Sequence, residues 1–189
     1  VANIFFLASL FIFYLLLRFD YSIRISLITL AFLLVYPTSF FFGAIYSESL
    51  FFLTSILALY FARKRLWFLS AIFGILSSLT RFVGIAIMPA ILTEFILQEK
   101  ITKKSFPKII PLLIIPIGVV SYALYNLSKT GDALYFLHAH GNLGNGRAVD
   151  TIISIPQTLY RYIKILLSLP VSQFEWGIAL LEFSAFFFA

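Results

Sequence analysis

At 189 residues, with 61% hydrophobic and only 12% charged side chains, the chain lies outside the composition of soluble domains, which run about 45–50% apolar and about 25% charged. It reads as an all-α, polytopic transmembrane helix bundle, a single membrane domain over 1–189. The formal charge of +6 comes from basic residues in short loops between apolar runs, which points to anchoring at the cytoplasmic face and not to nucleic acid. The absence of cysteine removes disulfide frameworks and thiolate metal sites.

Hydropathy places the spans, and the positive-inside bias gives their direction. Ala2 to Leu17 is apolar and ends at Arg18, Asp20 and Arg24, a cytoplasmic turn over about 18–24. This first run lacks a basic leader and a small-residue cleavage site, which argues against a secretory signal. The chain then crosses outward from Ile25 to about Ile45, turns over about 43–48, and returns from Ser47 to Ala62 to the basic cluster at 63–65. As one helix, the apolar stretch 66–97 would be about 48 Å long at ~1.5 Å per residue, too long for a hydrocarbon core of about 30 Å. It is expected to be a hairpin with its outer turn at 77–84.

The next cytoplasmic loop, about 98–108, is rich in lysine. Ile109 to Asn126 crosses outward, bent but not broken by Pro111 and Pro116, because neighbouring helices can satisfy freed carbonyls. An outer region of about 127–173 follows. Within it, Ile155, Leu159, Tyr162, Ile163 and Leu166 share a helical face, as in a helix lying in the outer leaflet. A final apolar run starts near Phe174. The opening at Val1 and the close inside EFSAFFFA suggest a piece of a longer protein.

Unusual polar residues gather in the outer turns: Glu48, Arg81, Asp132, His138, His140 and Arg147, with Asn142 and Asn145 beside them. Ionisable groups near membrane depth are costly and tend to pair, face a cavity or mark a substrate path. Simpler roles exist for each. Glu48 opens a helix, where the macrodipole favours a carboxylate, and Arg81 is placed to pair with it or to cap a helix. Thr130-Gly131-Asp132 has turn chemistry. The two-residue spacing of His138 and His140 puts them on different helical faces, which does not favour a metal. Gly141, Gly144 and Gly146 lack the lysine and hydroxyl of a phosphate loop. Gln173, Glu175 and Glu182 carry no assigned role.

Three blocks carry a family resemblance: PTSFFFGAIYSESLF at 37–51, GILSSLTRFVG at 74–84, and TGDALYFLHAH at 130–140 followed by Gly146-Arg147. Their order and spacing over about 37–147 resemble the PIG-V-type mannosyltransferases, the GPI mannosyltransferase II family and its prokaryotic relatives. The resemblance implies a GT-C glycosyltransferase that moves mannose from a polyprenyl (dolichyl-type) phosphate carrier to a glycolipid or other glycan acceptor on the outer or lumenal face. The lipid-linked donor is then a substrate, and no cofactor or metal is implied.

It further implies that Arg81 and Arg147 serve the phosphate, His138 and His140 the phosphate or sugar, and Glu48 with Asp132 the acceptor or the frame around it. The catalytic aspartate of such enzymes is expected upstream of Val1, leaving Glu48 and Asp132 as weak candidates for the base and the isolated chain inactive. The setting would be the plasma membrane in a prokaryote and the endoplasmic reticulum membrane in a eukaryote. A transporter or flippase of lipid-linked sugars, or a transferase of another sugar, is the alternative; a transporter should place its binding groups near the midplane on broken helices.

Overall fold

The computed structural model describes residues 2–36, 39–44, 46–99, 106–136, 138 and 155–188, and every regular element among them is helical. The chain divides into two compact units, Val1–Tyr135 and Phe136–Ala189.

The first unit opens with α1 (Ala2–Leu17), α2 (Ile23–Val35), the short α3 (Phe40–Gly43) and α4 (Glu48–Arg63). It continues with α5 (Trp67–Thr80), a 3-10 stretch (Phe82–Ala86) leading into α6 (Ile87–Gln98), then α7 (Phe106–Leu113) and α8 (Ile117–Thr130). Where a crossing is expected over 25–45, the helix is shorter, because α2 stops at Val35 with Tyr36 extended. Tyr36 precedes Pro37, and a residue before proline is driven out of the helical region. Pro37, Thr38 and Ile45 lie outside the described residues.

Contacts fix the helix directions. α1 and α4 run side by side in the same sense, with Phe13 against Phe52 and Phe19 against Tyr60 at ring separations of 5.9 and 5.8 Å. α5 returns antiparallel to α4: Ser70 Oγ donates to Ala58 O at 2.8 Å, and the Ser55 and Ser77 hydroxyls meet at 2.8 Å. The run 66–97 breaks at Arg81, whose backbone is extended (φ −148°, ψ 135°). α6 comes back along α5, so that Trp67 packs edge-on against Phe95 at 4.8 Å.

α7 and α8 follow the direction of α5. Two prolines shape their junction. Pro116 has no N–H to give to Leu112 O, and Ile115 N–H takes that carbonyl over three residues at 3.3 Å. Ser78 Oγ from α5 lies 2.9 Å from both Ile75 O and Ile115 O, the latter also accepting from Gly118 N–H at 3.2 Å, so the hydroxyl ties α5 to the junction. Gly118, one turn on, sits against Ser78, and a Cβ there would overlap Ser78 Oγ and Ile75 O. The segment Pro107–Thr130 is long and apolar enough to cross a membrane; Ala2–Leu17, Ile23–Val35, Trp67–Thr80 and Phe82–Gln98 are apolar but shorter.

Packing inside the first unit buries small and hydroxyl residues beside large apolar ones, while many other large apolar side chains stay exposed. Its core contains Ala58, Ala62, Ala71, Ile91, Phe95, Leu112 and Ile115, and among the fully buried side chains are the hydroxyls of Ser9, Ser26, Ser49, Ser70, Ser77 and Ser78. Meanwhile Val35 is 80% exposed, Phe32 74% and Ile4 68%. Among these buried hydroxyls, Ser9 donates to Phe6 O at 2.7 Å and Ser26 to Ser22 O at 3.0 Å.

In the second unit, α9 (Ile155–Ser168) and α10 (Phe174–Phe188) form a helical pair. Trp176 Nε1 donates to Leu166 O at 3.0 Å, and Tyr162 Oη to Glu182 Oε2 at 2.7 Å.

Candidate functional site

α4 begins where the chain supplies Ser47 and then Glu48, a carboxylate in the first turn, stabilised there by unpaired backbone N–H groups. α5 ends where Arg81 turns extended, its N–H closing on Ser77 O at 3.1 Å. Because α4 and α5 are antiparallel, these two ends coincide. Arg81 Nη1 donates to Glu48 Oε1 at 2.8 Å, and the guanidinium lies 5.9 Å from the Phe51 ring centroid. The simpler role for Arg81, pairing with Glu48, is therefore present. It does not exhaust Glu48, whose Oε2 is buried without a hydrogen-bond partner among the described residues.

α8 carries the next groups toward that end. Ile115 and Gly118 lie level with Gly74 and Ser78, and Asn126 comes eight residues later, about 12 Å farther along a helix rising ~1.5 Å per residue. It therefore lies toward the Glu48–Arg81 end of the unit. Asn126 is buried, and its Nδ2 has no hydrogen-bond partner among the described residues. Nothing in the sequence marks it, since an amide within a helix gives no sign of burial.

Gly131 ends α8 in the left-handed region (φ 75°), its N–H bonding Leu127 O at 3.0 Å. That turn presents Asp132, whose Oδ1 accepts from Leu134 N–H at 2.9 Å. The turn-forming role of this motif is thus realised. His138 belongs to the second unit and is exposed. His140 and Arg147, with Asn142 and Asn145, lie outside the described residues.

The opposite end of the first unit has a different character. Arg63 pairs with Asp20 and with Glu94 Oε1, the latter at 2.9 Å, and Gln98 Nε2 donates to the same Glu94 oxygen. The Glu94 hydrogen bond, opposed by burial and aided by Asp20, raises the Arg63 pKa. Nearby, Lys108 Nζ holds both Glu99 oxygens at 3.0 and 3.1 Å, and Trp67 Nε1 donates to Oε1 at 3.3 Å. The Lys108 bond, then that of Trp67, lowers the Glu99 pKa. Glu94 had given no signal inside its apolar run; its partner Arg63 is distant in sequence.

In the second unit, a groove of about 610 Å³ between α9 and α10 is lined by Arg161, Tyr162, Glu175 and Glu182 among others. No group of three or more His, Cys, Asp or Glu able to hold a metal occurs among the described residues. Comparison with protein families, curated proteins and solved structures finds no match to this chain.

Proposed function

We propose that this chain belongs to a polytopic membrane glycosyltransferase of the GT-C type, related to the PIG-V mannosyltransferases, acting on a polyprenyl-phosphate sugar at the end of the helix bundle that holds Glu48 and Arg81. The observation that carries the reading is the Glu48–Arg81 pair: a 2.8 Å bond joining two of the three resembling blocks, with one carboxylate oxygen buried and unspent among the described residues. Arg81, whose side chain is 43% exposed, retains donors for a lipid phosphate, the leaving group of such a transfer. Glu48 Oε2 suits a sugar or acceptor hydroxyl that donates to it.

Membrane crossing by several helices is supported by the small and hydroxyl residues at the helix contacts and by the large apolar side chains left exposed. Helices in lipid gain nothing from burying Leu or Phe against one another, so they associate through small residues and hydroxyls and leave large apolar side chains facing outward. Ser55, Ala58, Ser70, Gly74, Ser77 and Ser78 meet this description inside the unit, and Phe32 and Val35 meet it outside.

The transporter reading draws on one feature, the helix broken between α7 and α8. The Ile115 carbonyl at that break, however, belongs to a buried residue and already accepts from Gly118 N–H at 3.2 Å and from Ser78 Oγ at 2.9 Å, so it is not free to coordinate an ion or sugar. Both readings meet one test. Membranes carrying the full-length enzyme to which this chain is proposed to belong are supplied with radiolabelled polyprenyl-phosphate-mannose, with an Arg81→Ala variant beside the wild type. Transferase activity predicts label in a new glycoconjugate and a fall of about 10²–10³-fold in the variant at equal expression, the usual cost of one lost charge-stabilising donor. Accumulation of unaltered lipid-linked sugar inside vesicles, without transfer, would replace this reading with transport.

A further inference from the structure

Helix α4 ends on an arginine where a glycine is the usual choice. Arg65 has a left-handed backbone (φ 59°), its N–H bonds Ala62 O at 2.9 Å, and the Leu66 N–H reaches back to Phe61 O at 2.9 Å. Glycine adopts that conformation without a steric cost, and arginine does not. A strained non-glycine position is retained when its side chain has a use.

That side chain lines a groove of about 390 Å³ on the first unit, with Lys108 and with apolar Leu66, Phe68, Leu69 and Pro111. Phe68 is 66% exposed. Lys108 is held by Glu99, itself anchored by Trp67, so the ammonium has a fixed position beside the groove. Arg65 makes no hydrogen bond to a carboxylate among the described residues, and Lys64 adjoins it. Two cations against one carboxylate leave the groove positive, beside walls that suit a hydrocarbon chain.

We propose that this groove binds one anionic glycerophospholipid of the cytoplasmic leaflet, its phosphate on Arg65 and Lys108 and an acyl chain along Leu66, Phe68, Leu69 and Pro111. The inference rests on the membrane-spanning reading and is independent of the transfer chemistry. Guanidinium recognises phosphate through paired N–H donors, and basic pockets between helices on the cytoplasmic side are where anionic head groups settle. A zwitterionic lipid brings its own cation to the same place and loses that advantage.

Trp67 lines the groove and is one of only two tryptophans, so Trp176→Phe leaves it as the sole reporter. The full chain is reconstituted in bilayers containing brominated-chain phosphatidylglycerol or brominated-chain phosphatidylcholine, and quenching of Trp67 is compared. The anionic lipid is expected to quench at roughly fivefold lower mole fraction, the advantage conferred by about one basic residue at such a surface. Arg65→Gly, which relieves the backbone strain, should fold at least as well and abolish the preference. Native mass spectrometry of phosphatidylglycerol retained by the otherwise unaltered chain, against Arg65→Gly, reads the same difference without touching Trp176. Equal quenching by both lipids, or a preference unchanged in Arg65→Gly, overturns the site and leaves the membrane placement standing. Quenching by neither overturns both.

Discussion

Asn126 is where stability and activity are expected to part. Its amide is buried with Nδ2 unpartnered among the described residues, and such a group carries a desolvation penalty of about 1–3 kcal/mol. Asn126→Leu is similar in size and removes the penalty. It should raise the midpoint of thermal unfolding in detergent, and, if the amide serves a ligand beside Glu48 and Arg81, lower sugar transfer at the same time. A variant that is more stable and fully active would make Asn126 a bystander. Glu99 gives a prediction in pH. Lys108 and Trp67 lower its folded pKa below the ordinary 4.5, so the stabilisation it adds is fully present above that value and drains away as pH falls through the lower folded one. Glu99→Gln should flatten this acid limb of a stability–pH curve measured in detergent, and leave the neutral region less stable than wild type.

The contact between α5 and α8 depends on the missing side chain of Gly118. A Cβ there would meet Ser78 Oγ and the backbone of α5 at Ile75 and Leu79; the serine can rotate, but the backbone cannot. Gly118→Ala should therefore cost about 1–3 kcal/mol, the range for overpacking a tight core, read as a lower unfolding midpoint. Gly118→Ala combined with Ser78→Ala should recover only part of it. Much about these helices was legible beforehand. A run too long for one crossing had to break, and Ser77 to Gly84 supplied the polar and flexible residues for it; the charged triplet at 63–65 marked the end of α4. Less legible was α2, which hydropathy carries through to Ile45 although the proline at 37 halts it at Val35. The pairing of Arg63 with Glu94 was hidden because it joins residues 31 positions apart, which no local pattern reports. Glu48 and Arg81 stand out in the sequence as costly charges and their pairing as one of two simple roles for Arg81; the antiparallel return of α5 realises it as a 2.8 Å bond.

Taken together, the contacts give the first unit two chemically distinct ends. Asp20, Arg63 and Glu94 are tied to one another at one end, and at the other Glu48 and Arg81 are paired with a carboxylate oxygen to spare. If the helices span a bilayer, these ends face opposite compartments. The chain contains no cysteine, so Ser47→Cys and Lys64→Cys each introduce a single thiol. An impermeant maleimide added to right-side-out vesicles should label the first and spare the second, with the order reversed in inverted vesicles. Labelling of both from one side would dismiss a spanning α4 and with it the proposed location of the transfer site.

The serine and alanine seam between α4 and α5 also sets how this sequence can drift. At Ala58, Ser70, Ala71, Gly74 and Ser77 the limit is volume: another small residue is admissible whether or not it carries a hydroxyl, provided the Ser70 bond to Ala58 O has a substitute. At Phe32, Val35 and Phe68 the limit is polarity, and any apolar side chain fits because nothing is packed closely around it. Descendants of this chain would thus conserve size on the inside and greasiness on the outside, so a substitution table built on soluble proteins would misjudge which of its replacements are conservative.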